Sequence, residues 1–199
     1  MRPAQRITNL PPYPFAKLES AIGRLRAEGV DIIRLDIGSP DLPPSEPIIK
    51  TLQEATARAD MHGYGGYFGT KRFREAVATY YRNRFKVEVN PETEILSLIG
   101  SKEGIANMAT AWLDPGDVAL VPDPGYPTYS MGPVMAGAEY WCMPLLAENG
   151  FLPDLKAIPD DVLSRCRLMW LNYPNNPTGA AASAEFLQAA VDFCREREI

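Results

Sequence analysis

Three apolar runs in this chain each stop in a cluster of glycine, proline and hydrogen-bonding side chains, and each cluster leads into residues at helical spacing. Ile95–Ile99 runs into Gly100-Ser101-Lys102-Glu103-Gly104, Val118–Val121 into Asp123-Pro124-Gly125-Tyr126-Pro127-Thr128-Tyr129, and Leu168–Leu171 into Asn172-Tyr173-Pro174-Asn175-Asn176-Pro177-Thr178-Gly179. A further strand is expected at Glu139–Met143, with a helical segment before it. Strands that alternate with helices imply an α/β fold with a mostly parallel sheet and right-handed crossovers. Sheets of this kind bind ligands beyond the carboxyl ends of their strands, and all three clusters fall there.

The chain has 199 residues, 46% of them hydrophobic, enough for one good-sized core or two small ones. No apolar stretch approaches the roughly 20 residues that span a bilayer, and Met1-Arg2-Pro3-Ala4-Gln5 lacks the apolar core of a signal peptide, so a cytoplasmic location is expected. The net charge of −5 is spread among interspersed acidic and basic residues. Neither a nucleic-acid face nor a lipid-binding segment is expected from that pattern. Cys142, Cys166 and Cys194 are odd in number and far apart, which suits reduced buried thiols better than disulfides or zinc ligands. His62 is the single histidine, so no multi-imidazole metal site is expected.

Before the first cluster, a proline-rich arm gives way to a helical pattern within Tyr13–Gly29. Ile32–Ile37 is apolar and β-branched and is broken by Gly38-Ser39-Pro40-Asp41. Ser45 then reads as the cap of a helix reaching Arg58, and helical spacing returns from Thr70 toward Phe85. Ser101 starts a helix through Trp112, and another begins at Ser183. Residues 1–45 read as an arm and a smaller layer, and 46–199 as part of the main α/β domain.

Each cluster has a chemical reading and a plain one. At a strand-to-helix turn, the free N–H groups of the first helical turn and the Ser101 hydroxyl could cradle a phosphate, or Ser101 could simply cap the helix with Glu103 in its first turn. Tyr126 could lie flat against a planar heterocycle or merely pack over the sheet edge. Asn175 and Asn176 each donate and accept hydrogen bonds, and Pro177 permits a cis peptide bond that would aim an amide rigidly. The same residues also make an ordinary Asn/Pro/Gly turn.

Taken together and in this order, the clusters resemble the pyridoxal-phosphate aminotransferases of fold type I, nearly from Pro11-Pro12-Tyr13-Pro14-Phe15 to the helix after Gly179. Within that family the sequence is most similar to the LL-diaminopimelate aminotransferase-like group, through Asp36–Asp41, Tyr64–Arg74 and Leu98–Ile105. The resemblance implies a three-layer large domain, a pyridoxal 5′-phosphate cofactor, amino-acid and 2-oxo-acid substrates of LL-diaminopimelate or of aspartate/alanine type, and a homodimer. It also implies roles: Ser101 and Lys102 at the cofactor phosphate, Tyr126 on the ring, and Asn176 at the phenolic oxygen. Tyr64 would reach the phosphate in the partner subunit's site, with Tyr67 the competing choice. Gly38 and Tyr13 would face the substrate.

The family's Schiff-base lysine has no match in this chain, so no catalytic residue is assigned. Lys102 follows a serine but lacks the downstream glycine and arginine that accompany that lysine. The acidic partner of the pyridine nitrogen and the carboxylate-binding arginines are likewise unmatched. The chain therefore reads as the N-terminal half of a longer enzyme, inactive alone, with Ile95–Ile99 left as an unpaired apolar edge. Two alternatives remain open: a non-catalytic binding or dimerisation module, and a fold type I lyase.

Overall fold

The computed structural model describes residues 2–8, 10 and 14–199. In chain order its elements are α1 (Gln5–Thr8), α2 (Pro14–Ala27), α3 (Glu46–Thr56), α4 (Lys71–Phe85), α5 (Ser101–Trp112), β1 (Val118–Asp123), α6 (Thr128–Ala136), β2 (Glu139–Pro144), α7 (Asp160–Leu163), β3 (Cys166–Met169) and α8 (Ala184–Arg197). They fall into two compact units, one of Met1–Pro11 with Leu98–Ile199 and the other of Pro12–Ser97.

In the first unit the sheet order among the described residues is β2-β1-β3, and both pairings are parallel. Val118 faces Glu139 on one side and Cys166 on the other, with an irregularity after that pair in the β3 register. Because strand side chains alternate in direction, central β1 buries both faces. Ala119 and Val121 pack with Ala109, Leu113, Tyr129 and Ala138 of the α5 and α6 layer. Val118 and Leu120 pack with Met143, Ile158, Val162 and Cys166, and Phe193 of α8 closes that side. The result is the mostly parallel, three-layer α/β arrangement expected of the sequence.

The second unit is helical. Thr70 caps α4 by accepting from the Phe73 N–H, and Arg74, 8% exposed, donates to the Pro91 carbonyl and pairs with Glu92. Arg34 binds both carboxylate oxygens of Asp36 and reaches Glu19 on α2, which ties the Ile32–Gly38 segment to that helix. This ion pair holds the Asp36 carboxyl below its ordinary range.

Four expectations need correction. Ile95–Ile99 forms no strand, because a strand needs a neighbouring backbone to share its hydrogen bonds and here, among the described residues, the Ser97 N–H to Phe68 carbonyl bond is the single backbone–backbone bond between this segment and another stretch of chain. Strand β3 begins at Cys166 rather than Leu168, since pairing with Val118 sets its start. Ser45 stands at the N-cap of α3 without a side-chain capping bond, and that helix ends at Thr56. Cys166 is buried but Cys142, on the edge strand β2, is exposed; all three thiols are free.

Candidate cofactor site

The first wall of the site is the start of α5. Its N-cap is Gly100, at φ 84°, so the plain reading of Ser101 as the capping serine does not hold: Ser101 is the first helical residue. Glu103 reaches back to the Ile99 N–H at 2.6 Å, outside the helix. The N–H groups of the first turn therefore remain without intrahelical acceptors, beside an exposed Ser101 side chain. Such a helix start favours an anion.

The second wall comes from the turn after β1. A Cβ at Gly125 would lie 2.3 Å from the Pro122 carbonyl oxygen, so only glycine lets the chain turn this tightly and bring Tyr126 back over the sheet end. Tyr126 meets Tyr129 edge-on, with centroids 6.0 Å apart, and Tyr129 in turn stacks on Trp170 at 5.4 Å. Buried Tyr129 has its hydroxyl pushed above the ordinary tyrosine range by desolvation, then by Tyr126, so it stays protonated at neutral pH. The Lys102 ammonium lies 5.6 Å from the Tyr126 ring centroid.

The third wall is the loop after β3, which contains cis peptide bonds at Tyr173-Pro174 and Asn176-Pro177; a third precedes Pro124. Tyr173 pins this loop down: its hydroxyl donates to the Phe151 carbonyl at 2.8 Å and its ring meets Phe186 edge-on. Asn175, 4% exposed, accepts from both the N–H and the hydroxyl of Thr178 and donates its own N–H to the Ala180 carbonyl. Its Nδ2 is buried without a partner. The Asn176 N–H donates to Asn172 Oδ1 at 3.2 Å, and its side chain is exposed.

These three walls enclose a cleft of about 310 Å³ lined by Ser101, Ile105, Tyr126, Tyr129, Asn172, Pro174 and Asn176. Ser101, Tyr126 and Asn176, singled out from the sequence, thus share one cavity. Lys102 does not line it. Ile105, Tyr129 and Asn172 were not singled out, although Ile105 stands one helical turn after Ser101, and Tyr129 and Asn172 lie inside the quoted clusters. Tyr64 and Gly38 belong to the other compact unit, where both are exposed. Tyr13 lies outside the described residues.

The cleft offers a helix start for an anion, an aromatic face for a flat ring and a free amide for an oxygen, within a volume suited to a small ligand. A phosphorylated pyridine fits that donor set. No group of three or more metal-ligating side chains occurs among the described residues, and no helix among them is long and apolar enough to cross a membrane.

A family model described as aminotransferase class I and II matches residues 30–199. Among curated relatives, an LL-diaminopimelate aminotransferase of Moorella thermoacetica is 49% identical over 199 residues, 100% of this chain and 51% of that protein. One of Desulforudis audaxviator is 51% identical over 193 residues, 97% of this chain and 49% of its own length. The apo structure of BacF from Bacillus subtilis superposes with a TM-score of 0.93 at 42% identity, covering 100% of this chain and 51% of that one. A single mutant of Thermus thermophilus aspartate aminotransferase gives 0.90 at 30% identity, with 100% and 52% covered. The chain spans about half the length of the curated relatives it matches.

Proposed function

Because the chain belongs to the aminotransferase class I and II family, we propose that the full-length protein moves an amino group between an amino acid and a 2-oxo acid, and that the cleft of Ser101, Tyr126 and Asn176 holds pyridoxal phosphate for that transfer. The observation that carries this reading is the convergence of three residues, distant in sequence, on one cavity at the carboxyl end of a parallel sheet. When bound, the cofactor supplies an electron sink at the substrate α-carbon. The chain's own residues do the holding. The α5 start and Ser101 hydroxyl bind the phosphate, Tyr126 supports the ring, and the Asn176 amide donates to the phenolic oxygen and favours its ionised form.

Lys102 is assigned to the phosphate end as well, acting through charge from beside Tyr126. Tyr64, 108% exposed, suits a role in a partner subunit's site and so a homodimer. Gly38 and Tyr13 are assigned to the substrate side, and residues 46–199 to the cofactor domain. No lysine lines the cleft, so the 199-residue chain is proposed to bind cofactor without turning over. LL-Diaminopimelate is the proposed amino donor, supported by the names and identities of the relatives.

The test is direct. Full-length protein supplied with pyridoxal phosphate, LL-diaminopimelate and a 2-oxo acid should produce the matching amino acid. A reading frame continuing past Ile199 into a Ser-x-Ser-Lys segment is expected of the enzyme, whereas cofactor binding with no turnover at full length would favour the non-catalytic module. Release of ammonia, a 2-oxo acid and the departing β-substituent from an amino acid that carries a leaving group on its β-carbon, with no 2-oxo acid added, would favour the lyase. Asn176→Ala should weaken binding of pyridoxamine phosphate about tenfold, the loss of one hydrogen bond to a charged oxygen.

A further inference from the structure

Asn172 is the one side-chain amide of the cleft that the reading above leaves without a role. Asn172 follows the last apolar residue after β3, is half-buried, and lines the cavity together with Asn176. Its Oδ1 accepts the Asn176 N–H at 3.2 Å. In this loop backbone donors are scarce, because Pro174 and Pro177 have none and the Asn175 N–H is committed to the Ala180 carbonyl. On its far side Asn176 is followed by Pro177, and its neighbour Asn175 is locked into the buried turn with Thr178. The peptide unit joining Asn175 to Asn176 is thus held at both of its polar ends: its carbonyl accepts the Gly179 N–H at 2.7 Å, and its N–H donates to the Asn172 side chain, the contact made by a residue of the cleft.

We propose that Asn172 is a positioning residue: its side-chain oxygen, by holding the Asn176 N–H, aims the Asn176 amide into the cleft at the acceptor oxygen of the bound ligand. This inference rests on the assignment of the cleft to a phosphorylated pyridine. An amide swung away by a small backbone rotation no longer meets that oxygen within hydrogen-bonding range, since such bonds weaken steeply with angle. The role differs from that of a side chain touching the ligand itself, because everything Asn172 does passes through Asn176.

The probe is pyridoxamine 5′-phosphate, which binds without a Schiff-base lysine, titrated into the full-length protein by its fluorescence. Asn172→Ala is expected to weaken binding about five- to tenfold and, in the Asn176→Ala background, by less than about twofold. A second readout is the absorbance of the bound ligand against pH: both single variants should move the ionisation of its phenolic oxygen to higher pH, and the double variant no further than Asn176→Ala alone. If Asn172→Ala does not fold, Asn172→Gln, which keeps the amide but displaces its oxygen by one methylene, enters the same cycle with the same expectation. Equal losses in the two backgrounds, or unchanged binding and spectrum in the single variant, overturn the inference while leaving the cleft assignment intact. Failure of the wild-type protein to bind the probe overturns both.

Discussion

The two compact units use their apolar residues in opposite ways. In the unit built from 98–199, β1 is buried along Val118–Val121 because helices cover one face and the Ile158–Val162 segment with α8 covers the other. In the unit of 12–97, Ile22 and Ala78 are the buried apolar residues among those described, while Ile48, Leu52, Phe73, Tyr80, Tyr64 and Tyr67 are exposed. Helix α3 carries Ile48, Leu52 and Ala55 along one groove and buries no residue at all. Apolar spacing alone therefore does not make a core: a stripe becomes a core only where a second surface is within reach. The first unit carries its own second surface, whereas in the second these apolar side chains lie uncovered.

The largest expected effect tests that contrast directly. Leu120→Ala, at a side chain with no exposure, should cost about 2–5 kcal/mol in denaturant unfolding, whereas Leu52→Ala on α3 should stay within about 0.5 kcal/mol in the isolated chain. A comparable loss at Leu52 would show that α3 is covered after all. Next comes Gly125→Ala. With the Pro122 carbonyl in the way, it should destabilise by about 1–3 kcal/mol and also displace Tyr126, so cofactor affinity should fall with stability. Stability lost with affinity intact would separate Tyr126 from the ligand.

Smaller effects compare like with like. Thr70→Ala and Ser183→Ala each remove a side-chain cap, from α4 and α8, and each should cost about 1 kcal/mol where its unit folds cooperatively. If the 12–97 unit is only loosely held, hydrogen exchange in α4 should be faster than in α8, and Thr70→Ala should raise it further. The smallest effect is acid-dependent. The folded-state ionisation of Asp36 lies below its unfolded value, so the Arg34 pair contributes stability above the ordinary aspartate range and loses it as pH falls below about 4. Arg34→Met should abolish that slope in the 12–97 unit and leave the β1 amides unchanged.

Helix limits were legible in the sequence wherever local chemistry sets them. Ser101–Trp112 begins at a glycine and stops before Asp114-Pro115-Gly116, and the helix after Ser183 starts on the side-chain cap that residue provides. The cleft residues Ser101, Tyr126 and Asn176 were legible because each lies in a glycine- or proline-marked cluster that follows an apolar run. Tyr129 and Asn172 were not, because their part depends on ring packing and on one hydrogen bond across the loop.

By itself the sequence determined the alternation of strands and helices in the 98–199 unit, the parallel class of the sheet and the three glycine- and proline-marked clusters, since these follow from side-chain period and turn chemistry that act within a few residues. Only the tertiary structure decided which apolar runs became strands and cores. Val118–Val121 found neighbours on both edges and both faces, and Ile95–Ile99 found no strand to pair with, because strand formation and burial are properties of two surfaces meeting rather than of either one alone.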